Sequence, residues 1–525
     1  MRTNLHHLLQ QSADRQGDAP ALTYKNRTAT YSEVWALTSS VAAGLRSLGV
    51  DRGDRVGIYL EKRIETVVAI FATSLAGGVF VPVNHILKAQ QVGYILGNCD
   101  VKVLVTSSER FATLHTQLAE CPSVEHVIVL DASADLAVDE SAGYAVHAWA
   151  ELTADSGAAA PSSGAIDVDV AAILYTSGST GKPKGVVLSH RNLIVGAESV
   201  STYLENTPDD VILSALPLSF DAGFSQITTA FAVGAHVILM NYLFPGEVKK
   251  LCAKHQVTGL TCVPPLWLQI ADLEWSAEAS GSLRYFANTG GRMPRTTLQR
   301  LRSIFPQAKP YLMYGLTEAF RSTYLDPAEV DRRPDSIGKA IPNAEILVVR
   351  PDGSRCAPGE EGELVHRGAL VALGYWNDPV RTAERFKPAP GSESTWRAPE
   401  LAVWSGDGVV ADEEGFLYFV GRSDEMIKTS GYRVSPTEVE EVAYETGLVR
   451  DVVALGVPDD RLGQKIVLLA TAADGEALDP AGLIARMRRE LPLYMVPSDV
   501  HVRDQLPKGP NGKFDRNLLK QELTA

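Results

Sequence analysis

Apolar and polar positions alternate between two periods along most of the chain. Short apolar runs at residues 55–60, 101–106 and 211–216 predict buried strands. Between such runs, apolar residues recur every three to four positions, as in a helix predicted over residues 65–75. Strands that alternate with helices are typical of a parallel sheet covered on both faces. We therefore predict an α/β fold with a large N-terminal domain of stacked α/β layers.

The pattern changes twice in the second half of the chain. From about residue 336, short strands separated by P-D-G, E-E-G and D-E-E-G turns predict a small β-rich subdomain. Beyond Gly421, helical and strand patterns alternate over a stretch of about a hundred residues, enough for a separate domain. The sequence predicts an N-terminal domain at 1–421, a hinge at 422–426 and a small, mobile α+β C-terminal domain at 427–525.

Composition narrows the class of protein. A chain of 525 residues is too long for one core, and 45% hydrophobic with 21% charged residues is typical of a globular protein. The net charge of −14 argues against a nucleic-acid or anionic-membrane partner. Five scattered cysteines without a C-x-x-C pair favour a reducing compartment. We expect a cytoplasmic protein with no membrane span.

One stretch, L-Y-T-S-G-S-T-G-K-P-K-G-V at residues 174–186, is rich in groups that hold phosphate. Glycines allow close backbone approach, and hydroxyl, ammonium and backbone N–H groups donate to phosphate oxygens. Pro183 separates this loop from the common NTPase pattern, and the valines after it predict that the loop joins two strands. The candidate ATP-binding residues of the loop are Thr176, Ser177, Gly178, Ser179, Thr180, Gly181, Lys182 and Lys184.

This string resembles the phosphate loop of the AMP-forming adenylating enzymes, a superfamily of acyl-CoA synthetases, peptide-synthetase adenylation domains and luciferases. Further stretches resemble other motifs of the superfamily, in the same order, over nearly the whole chain. Residues 217–386 also resemble a subgroup of acyl-CoA ligases associated with exosortase systems. The resemblance implies ATP and Mg²⁺ as cofactors, with CoA or a carrier-protein phosphopantetheine as the thiol.

Y-G-L-T-E at residues 314–318 follows a predicted strand, which is where open α/β sheets bind ligands. Thr317 and Glu318 could hold a phosphate and a magnesium ion, or Thr317 could simply cap a helix. The resemblance implies that Thr317 contacts the α-phosphate, Glu318 binds Mg²⁺ and Tyr314 packs on adenine. It also places Gly290, Gly291 and Arg292 at the adenine edge, although a plain turn would explain the same residues.

Three later motifs extend the resemblance. Asp407 and Arg422 match the residues that hold the ribose, a surface turn being the alternative. Asp424 matches the hinge, and Ser430, Gly431, Tyr432 and Arg433 match the stretch that approaches the pantetheine thiol. Lys513, which follows the turn signal Asn511-Gly512, matches the catalytic lysine that stabilises charge on the carboxylate and the α-phosphate.

Asp221 bears on the substrate class. It can pair with the ammonium group of an amino acid, as in the amino-acid-activating members, or cap a helix over residues 222–232. Arg321 can meet a second carboxylate or another polar group of the substrate, or can pair with Asp221. The resemblance implies a pocket lined by Asp221, Ala222, Ser225, Cys262, Ala287, Thr289, Met313, Arg321 and Ser322.

The expected activity is ATP-dependent activation of a carboxylate to an acyl- or aminoacyl-adenylate, with release of pyrophosphate, followed by thioester formation. The alternative is a stand-alone amino-acid adenylation enzyme that loads an acyl or peptidyl carrier protein. A more remote alternative is an ATP-dependent phosphotransferase. Pro183 and the lack of a separate general-base motif speak against that alternative.

Overall fold

The computed structural model describes residues 1–132, 143–153, 163–176, 182–392, 396, 398–422, 426–473, 478–507 and 514–524. Its strands, in chain order, are β1 Pro20–Tyr24, β2 Arg27–Thr30, β3 Arg55–Tyr59, β4 Val79–Pro82, β5 Val101–Thr106, β6 His126–Val129, β7 Ala145–Ala148, β8 Val170–Thr176, β9 Lys184–Ser189, β10 Val211–Ser214, β11 His236–Leu239, β12 Gly259–Cys262, β13 Tyr285–Asn288, β14 Lys309–Tyr314, β15 Thr323–Leu325, β16 Ser336–Ala340, β17 Ala344–Val349, β18 Glu361–Gly368, β19 Gly374–Tyr375, β20 Phe386–Pro388, β21 Leu401–Ala411, β22 Leu417–Arg422, β23 Ile427–Thr429, β24 Tyr432–Val434, β25 Val449–Asp459, β26 Gly463–Ala472 and β27 Asp499–Val502.

The helices follow the predicted alternation with these strands. They are α1 His7–Gln16, α2 Tyr31–Ser47, α3 Ile64–Ala76, α4 Ala89–Asn98, α5 Ser108–Phe111, α6 His115–Ala119, α7 Trp149–Thr153, α8 His190–Tyr203, α9 Asp221–Val233, α10 Pro245–His255, α11 Pro264–Ala271, α12 Ala277–Ser280, α13 Arg295–Ile304, α14 Pro379–Arg385, α15 Pro436–Glu445, α16 Pro480–Glu490 and α17 Arg516–Thr524. Short 3₁₀ helices occupy Thr317–Ala319, Pro327–Glu329 and Leu493–Met495. No helix of the described residues is both long and apolar enough to cross a membrane.

Two large sheets build the N-terminal part. The first has the order β17-β18-β21-β22-β16-β15-β14-β13-β12-β10-β11-β1-β2, with β20 on β21. In that order, neighbouring strands from β14 to β1 pair parallel. The neighbouring strands from β17 to β15 pair antiparallel. The second has the order β19-β9-β8-β4-β3-β5-β6-β7 and is parallel from β8 to β7.

The main core lies between these two sheets. It is filled by apolar side chains of α2, α3, α8 and α9, with Phe71, Phe224 and Phe231 at its centre. A second core under α10, α11 and α13 covers the other face of the first sheet, and a third under α4 and α6 covers the second sheet. Stacked layers of this kind confirm the predicted α/β architecture, because each parallel sheet must bury both faces.

A smaller α+β domain follows the N-terminal part in the chain. Its sheet has the order β24-β23-β26-β25, with β27 on β26, and α15 and α16 pack on it over a separate core. The hairpin β23–β24 projects from this domain toward the N-terminal part, through contacts given below. The predicted hinge residue Asp424 lies outside the described residues.

Candidate active site

The predicted phosphate loop connects two strands, as the sequence indicates. β8 and β9 pair antiparallel, with Thr176 opposite Lys184, so the loop between them leaves and re-enters the sheet at one edge. Thr176 Oγ1 is buried and makes no hydrogen bond to a described residue. The remaining predicted loop residues Ser177, Gly178, Ser179, Thr180 and Gly181 lie outside the described part of the chain, and Lys182 beside them is exposed.

Lys184 and Glu318 form a buried ion pair beside this loop. Lys184 Nζ lies 2.9 Å from Glu318 Oε1, and the Glu318 side chain is only 2% exposed. Tyr375 on β19 closes a triangle, because its hydroxyl is 2.6 Å from Lys184 Nζ and donates to Glu318 Oε1 at 2.7 Å. The backbone of Glu318 is also fixed, since its carbonyl accepts from the Ala372 N–H at 2.9 Å.

The charges around Glu318 and Lys184 set the protonation states of these two side chains. Burial alone would raise the pKa of the Glu318 carboxyl, but the positive charges of Lys184 and Arg433 and the Tyr375 hydroxyl hold it well below its usual range. Burial lowers the pKa of Lys184, and the Glu318 carboxylate opposes this effect. Glu318 is therefore a fixed negative charge next to the loop.

A single ionised carboxylate suits Mg²⁺ when nucleotide phosphates and water supply the other ligands. The Glu318 carboxylate and the unpartnered hydroxyl of Thr176 fit this arrangement. Within the described residues, no group of three or more His, Cys, Asp or Glu side chains could hold a metal by itself. The site thus fits an ion that arrives with the nucleotide.

Thr317 does not cap a helix. It is the first residue of the 3₁₀ helix Thr317–Ala319, Leu316 occupies the N-cap position, and no side-chain cap hydrogen bond forms. The capping alternative for Thr317 is therefore wrong, because the turn begins one residue earlier than that alternative requires. Thr317 is partly exposed and directly precedes the buried Glu318 in the chain.

The residues predicted to contact the nucleoside lie in two places. The Tyr314 hydroxyl donates to Asp407 Oδ2, and Asp407 pairs in register with Arg422, whose side chain is not described. Gly290 has φ +76°, the left-handed region that favours glycine, as a tight turn at the end of β13 requires. Arg292 is exposed and its guanidinium pairs with Asp335 on the surface, so its side chain is not directed at the Tyr314–Asp407 pair.

The predicted acyl pocket gathers at the carboxyl ends of β12, β13 and β14. Ala287 and Met313 are buried there in the main core, whereas Cys262 belongs to the second core on the other face of the sheet, where burial raises the pKa of its thiol. Ala222 and Ser225 come from the first turns of α9. Ser322 Oγ lies 2.9 Å from Nδ1 of the fully buried His366.

Asp221 is the first residue of α9, and Phe220 holds the N-cap position. The predicted helix start was thus one residue late, and Asp221 is not its N-cap residue. Burial raises the pKa of Asp221, and the positive charge of Arg321 partly opposes this. The two side chains form no ion pair in the structure; Arg321 Nη1 instead donates to Thr289 Oγ1 at 2.6 Å.

A strained turn directs Arg321 inward. Phe320 has φ +56° and ψ −55°, and the Arg321 N–H donates to the Ala319 carbonyl at 2.6 Å, which closes a γ-turn. The Phe320 ring is fully buried against Gly196, where an added Cβ would lie 2.5 Å from Phe320 Cδ1. Strain of this kind persists only where the surroundings enforce it, and it concentrates at functional sites.

The C-terminal domain reaches the same site through its β23–β24 hairpin. The turn residues Ser430 and Gly431 have φ +53° and +81°, as a two-residue type I′ turn requires. A Cβ added to Gly431 would lie 2.8 Å from Val263 Cγ2, at the end of β12. Tyr432 packs against Phe220 and stacks on Tyr494 with ring centroids 3.8 Å apart.

Arg433 of this hairpin also lies near the site, because its positive charge lowers the pKa values of both Glu318 and Lys184. The predicted thiol-approach residues therefore lie beside the predicted acyl pocket and the carboxylate cluster in one arrangement of the two domains. Lys513, the predicted catalytic lysine, lies outside the described residues.

Sequence reasoning missed Tyr375, Lys62 and Phe320. Tyr375 belongs to a two-residue strand, and nothing in the local pattern marks it. Lys62 is a buried lysine whose Nζ donates to the Ser214 and Leu216 carbonyls at 2.6 and 2.9 Å, which fixes the segment leading to Asp221. The one available signal for Lys62 is a cation that directly follows an apolar strand pattern.

Comparison with known proteins identifies the family. The family model described as AMP-binding enzyme matches residues 9–376, and the one described as AMP-binding enzyme C-terminal domain matches residues 438–513. The chain belongs to the AMP-binding enzyme family. The AMP-binding enzyme activates a carboxylate with ATP, forms AMP and passes the acyl group to a thiol.

Curated relatives fall in two groups. The long-chain-fatty-acid–CoA ligase of Salmonella typhimurium is 30% identical over an alignment of 547 positions. This alignment covers 99% of this chain and 94% of the relative. Gramicidin S synthase 2 of Aneurinibacillus migulanus is 30% identical over 520 residues, 98% of this chain and 11% of that much longer protein.

Two solved structures at 25% identity resemble the enzyme over its whole length. The o-succinylbenzoate CoA synthetase of Bacillus subtilis, a double mutant bound with a CoA product analogue, gives a TM-score of 0.81 and covers 98% of both chains. ATP-bound MatB of Rhodopseudomonas palustris gives a TM-score of 0.69 and covers 99% of both chains.

Proposed function

We propose that this AMP-binding enzyme makes acyl-CoA thioesters in two steps at one site, and that the structure has the domain arrangement of the second step. In the first step a substrate carboxylate oxygen attacks the ATP α-phosphorus, the bond from that phosphorus to the α–β bridging oxygen breaks, and pyrophosphate leaves with this oxygen. Lys513 and the donors of the 176–184 loop stabilise the charge that develops on the phosphate. Mg²⁺ at Glu318 would neutralise phosphate charge.

In the second step the C-terminal domain has turned about residues 422–426, with Asp424 as the pivot. The thiol sulfur attacks the acyl carbonyl, the carbon–oxygen bond to AMP breaks and AMP leaves. The single observation that carries this proposal is the contact of Gly431 with Val263, which puts the β23–β24 hairpin against the acyl pocket.

A cleft between the two domains supports CoA as the thiol. It measures about 780 Å³ and lies between the 85–90 segment and the ends of α15 and α16. That volume is in the range of small-molecule sites. Asn84, which precedes this segment, is close enough to Tyr432 of the hairpin to oppose the rise that burial causes in the pKa of its hydroxyl. Lys88, Arg110 and Arg489 offer cations for CoA phosphates, beside acidic residues that include Glu445.

The cleft gives a direct test of CoA against a carrier protein. Thioester formation is measured with CoA and with pantetheine, which has the same thiol arm but lacks the nucleotide. We expect a KM for CoA at least 10-fold below that for pantetheine. Arg489→Ala should raise the KM for CoA at least 5-fold and leave that for pantetheine unchanged.

Arg488 provides the matched control, because it is the neighbouring arginine of α16 and does not line the cleft. Arg488→Ala should leave both KM values as in the wild type. Equal KM values for CoA and pantetheine would contradict the role of the cleft. Transfer to a phosphopantetheinylated carrier protein but not to CoA would establish the carrier-loading alternative.

A further inference from the structure

Arg321 is an incompletely partnered cation inside the acyl pocket. Its side chain is 2% exposed, and a guanidinium stays charged in proteins. Within the described residues it makes one hydrogen bond, from Nη1 to Thr289 Oγ1 at 2.6 Å, and its buried Nε has no acceptor. Burying a charge is unfavourable unless an opposite charge and hydrogen bonds accompany it.

The protein does not supply that opposite charge at contact distance. No described carboxylate lies within 4.0 Å of the Arg321 guanidinium. Asp221 is close enough for Arg321 to oppose the rise that burial causes in the pKa of its carboxyl, yet the two side chains form no ion pair. The guanidinium therefore keeps donors available to a ligand between these side chains.

The backbone holds this cation where it is. Phe320 adopts a γ-turn with φ +56°, and its ring has no room to move toward Gly196. A surface arginine would need neither feature. The strained turn thus positions Arg321 rather than being a by-product of loop geometry.

The geometry points to Arg321 as a specificity-determining residue that binds a second carboxylate, so that the enzyme activates short dicarboxylic acids. This deepens the proposed function and rests on it. A carboxylate can accept from Nε and a neighbouring Nη together, the bidentate geometry that arginine favours. The other end of the substrate is the carboxylate that reacts with ATP.

Chain distance limits the length of such a substrate. Arg321 follows Glu318 by three positions, so their Cα atoms lie at most about 11 Å apart. Ala287 is a small buried residue of the main core, two positions before Thr289, which accepts from Arg321 Nη1. A long aliphatic chain in the same place would leave the buried guanidinium without an acceptor, which costs affinity.

The test compares acids of equal chain length that differ only at the far end. ATP–pyrophosphate exchange is measured with malonate, succinate and glutarate against propionate, butyrate and pentanoate. We expect the best dicarboxylate to exceed its monocarboxylate partner at least 100-fold in kcat/KM. Arg321→Met should cut that kcat/KM at least 100-fold and bring the two acids within 10-fold of each other. Arg321→Lys should retain part of the preference.

Binding is measured separately, so that the two proposals fail in different ways. The same dicarboxylate is titrated calorimetrically into wild type and Arg321→Met in the presence of a non-hydrolysable ATP analogue. We expect Kd to rise at least 10-fold in the variant, while its thermal midpoint is unchanged or higher. Equal Kd values, no binding to the wild type, or a wild-type preference for monocarboxylates would overturn the role of Arg321. Exchange with no acid, despite Arg321-dependent binding, would overturn the proposed function alone.

Discussion

Lys184 Nζ lies 2.9 Å from Glu318 Oε1, although the two residues stand 134 positions apart in the chain. One comes from the strand that follows the phosphate loop, and the other from the turn after β14 in the other large sheet. The pair therefore joins the two sheets at the point where the nucleotide is expected. It also places a fixed cation and a fixed anion beside the loop.

Replacement of Glu318 should affect both activity and stability. Glu318→Gln removes the carboxylate for Mg²⁺ and leaves Lys184 buried without its anion, so we expect exchange to fall at least 100-fold and unfolding free energy to fall by about 3 kcal/mol. ATP–pyrophosphate exchange across Mg²⁺ concentrations and urea unfolding measure the two effects. Asp499→Asn, which breaks the exposed Lys465–Asp499 pair, is the control and should change stability by less than about 1 kcal/mol. A Glu318→Gln enzyme with wild-type exchange would refute the assignment.

The contact between Gly196 and Phe320 predicts a substrate-specific defect. Gly196→Ala places a Cβ 2.5 Å from Phe320 Cδ1 and should cost about 1–3 kcal/mol of stability. Because Phe320 precedes Arg321, the KM for the acid should rise at least 5-fold and the KM for ATP should not. Gly97→Ala, in another helix, is the control and should be neutral or stabilising, because the added Cβ would lie 3.7 Å from Cys121 Sγ, its nearest neighbour. A Gly196→Ala enzyme whose acid KM stays at the wild-type value would contradict this link.

Lys62 should make stability depend on pH. Burial lowers its pKa to about 7 from 10.5, so the folded protein releases a proton that the unfolded chain keeps between those values. Wild-type stability relative to Lys62→Met should therefore rise with pH from 7 toward 10, by at most about 1.4 kcal/mol per pH unit. Urea unfolding of both proteins at several pH values measures the difference. A pH-independent difference would show that Lys62 does not change its ionisation on folding.

Glu438 should make domain docking depend on pH. Its carboxyl accepts from Gln91 Nε2 at 3.0 Å across the domain interface, and burial raises its pKa to about 7 from 4.5. The docked form then keeps a proton that the undocked form loses, so docking weakens as pH rises from 4.5 to 7 and levels off above that.

Glu438→Gln should remove this dependence, because an amide does not ionise. The measurement is single-turnover thioester formation from preformed adenylate between pH 5.5 and 8, as the ratio of variant to wild type. That ratio should rise up to about pH 7 and then stay constant. Ionisation of the CoA thiol cancels in the ratio, so a flat ratio would argue against Glu438 as the titrating group.

The sequence was informative where a pattern is local. The strand at residues 101–106 was predicted with the observed bounds, and the helix predicted over residues 65–75 is one residue longer at each end in the structure. The loop between β8 and β9 could be predicted because Pro183 restricts Lys182 to extended conformations and the β-branched residues Val186 and Val187 follow. Motifs shared with a known superfamily indicated the roles of the candidate site residues, which hydrophobic periodicity could not indicate.

The other features of the site depend on contacts between residues far apart in the chain, which no local sequence pattern contains. Tyr375 reaches Lys184 across 191 positions of the chain, and its own strand has two residues. The left-handed conformation of Phe320 is imposed by packing at a position where the sequence has no glycine. The capping alternatives for Thr317 and Asp221 depended on helix starts, which differ by one residue from those observed.

The central claim is that one site serves two steps and that Gly431 contacts it only in the second. The most direct measurement is the pair of half-reaction rates in Gly431→Ala, whose Cβ would lie 2.8 Å from Val263. Gly447→Ala is the control, because Gly447 has a similar φ of +70° in the same domain with open space around it. We predict wild-type ATP–pyrophosphate exchange and at least 100-fold slower thioester formation in Gly431→Ala, with both rates near wild type in Gly447→Ala. Unchanged thioester formation in Gly431→Ala, or equal loss of both half-reactions, would contradict the account.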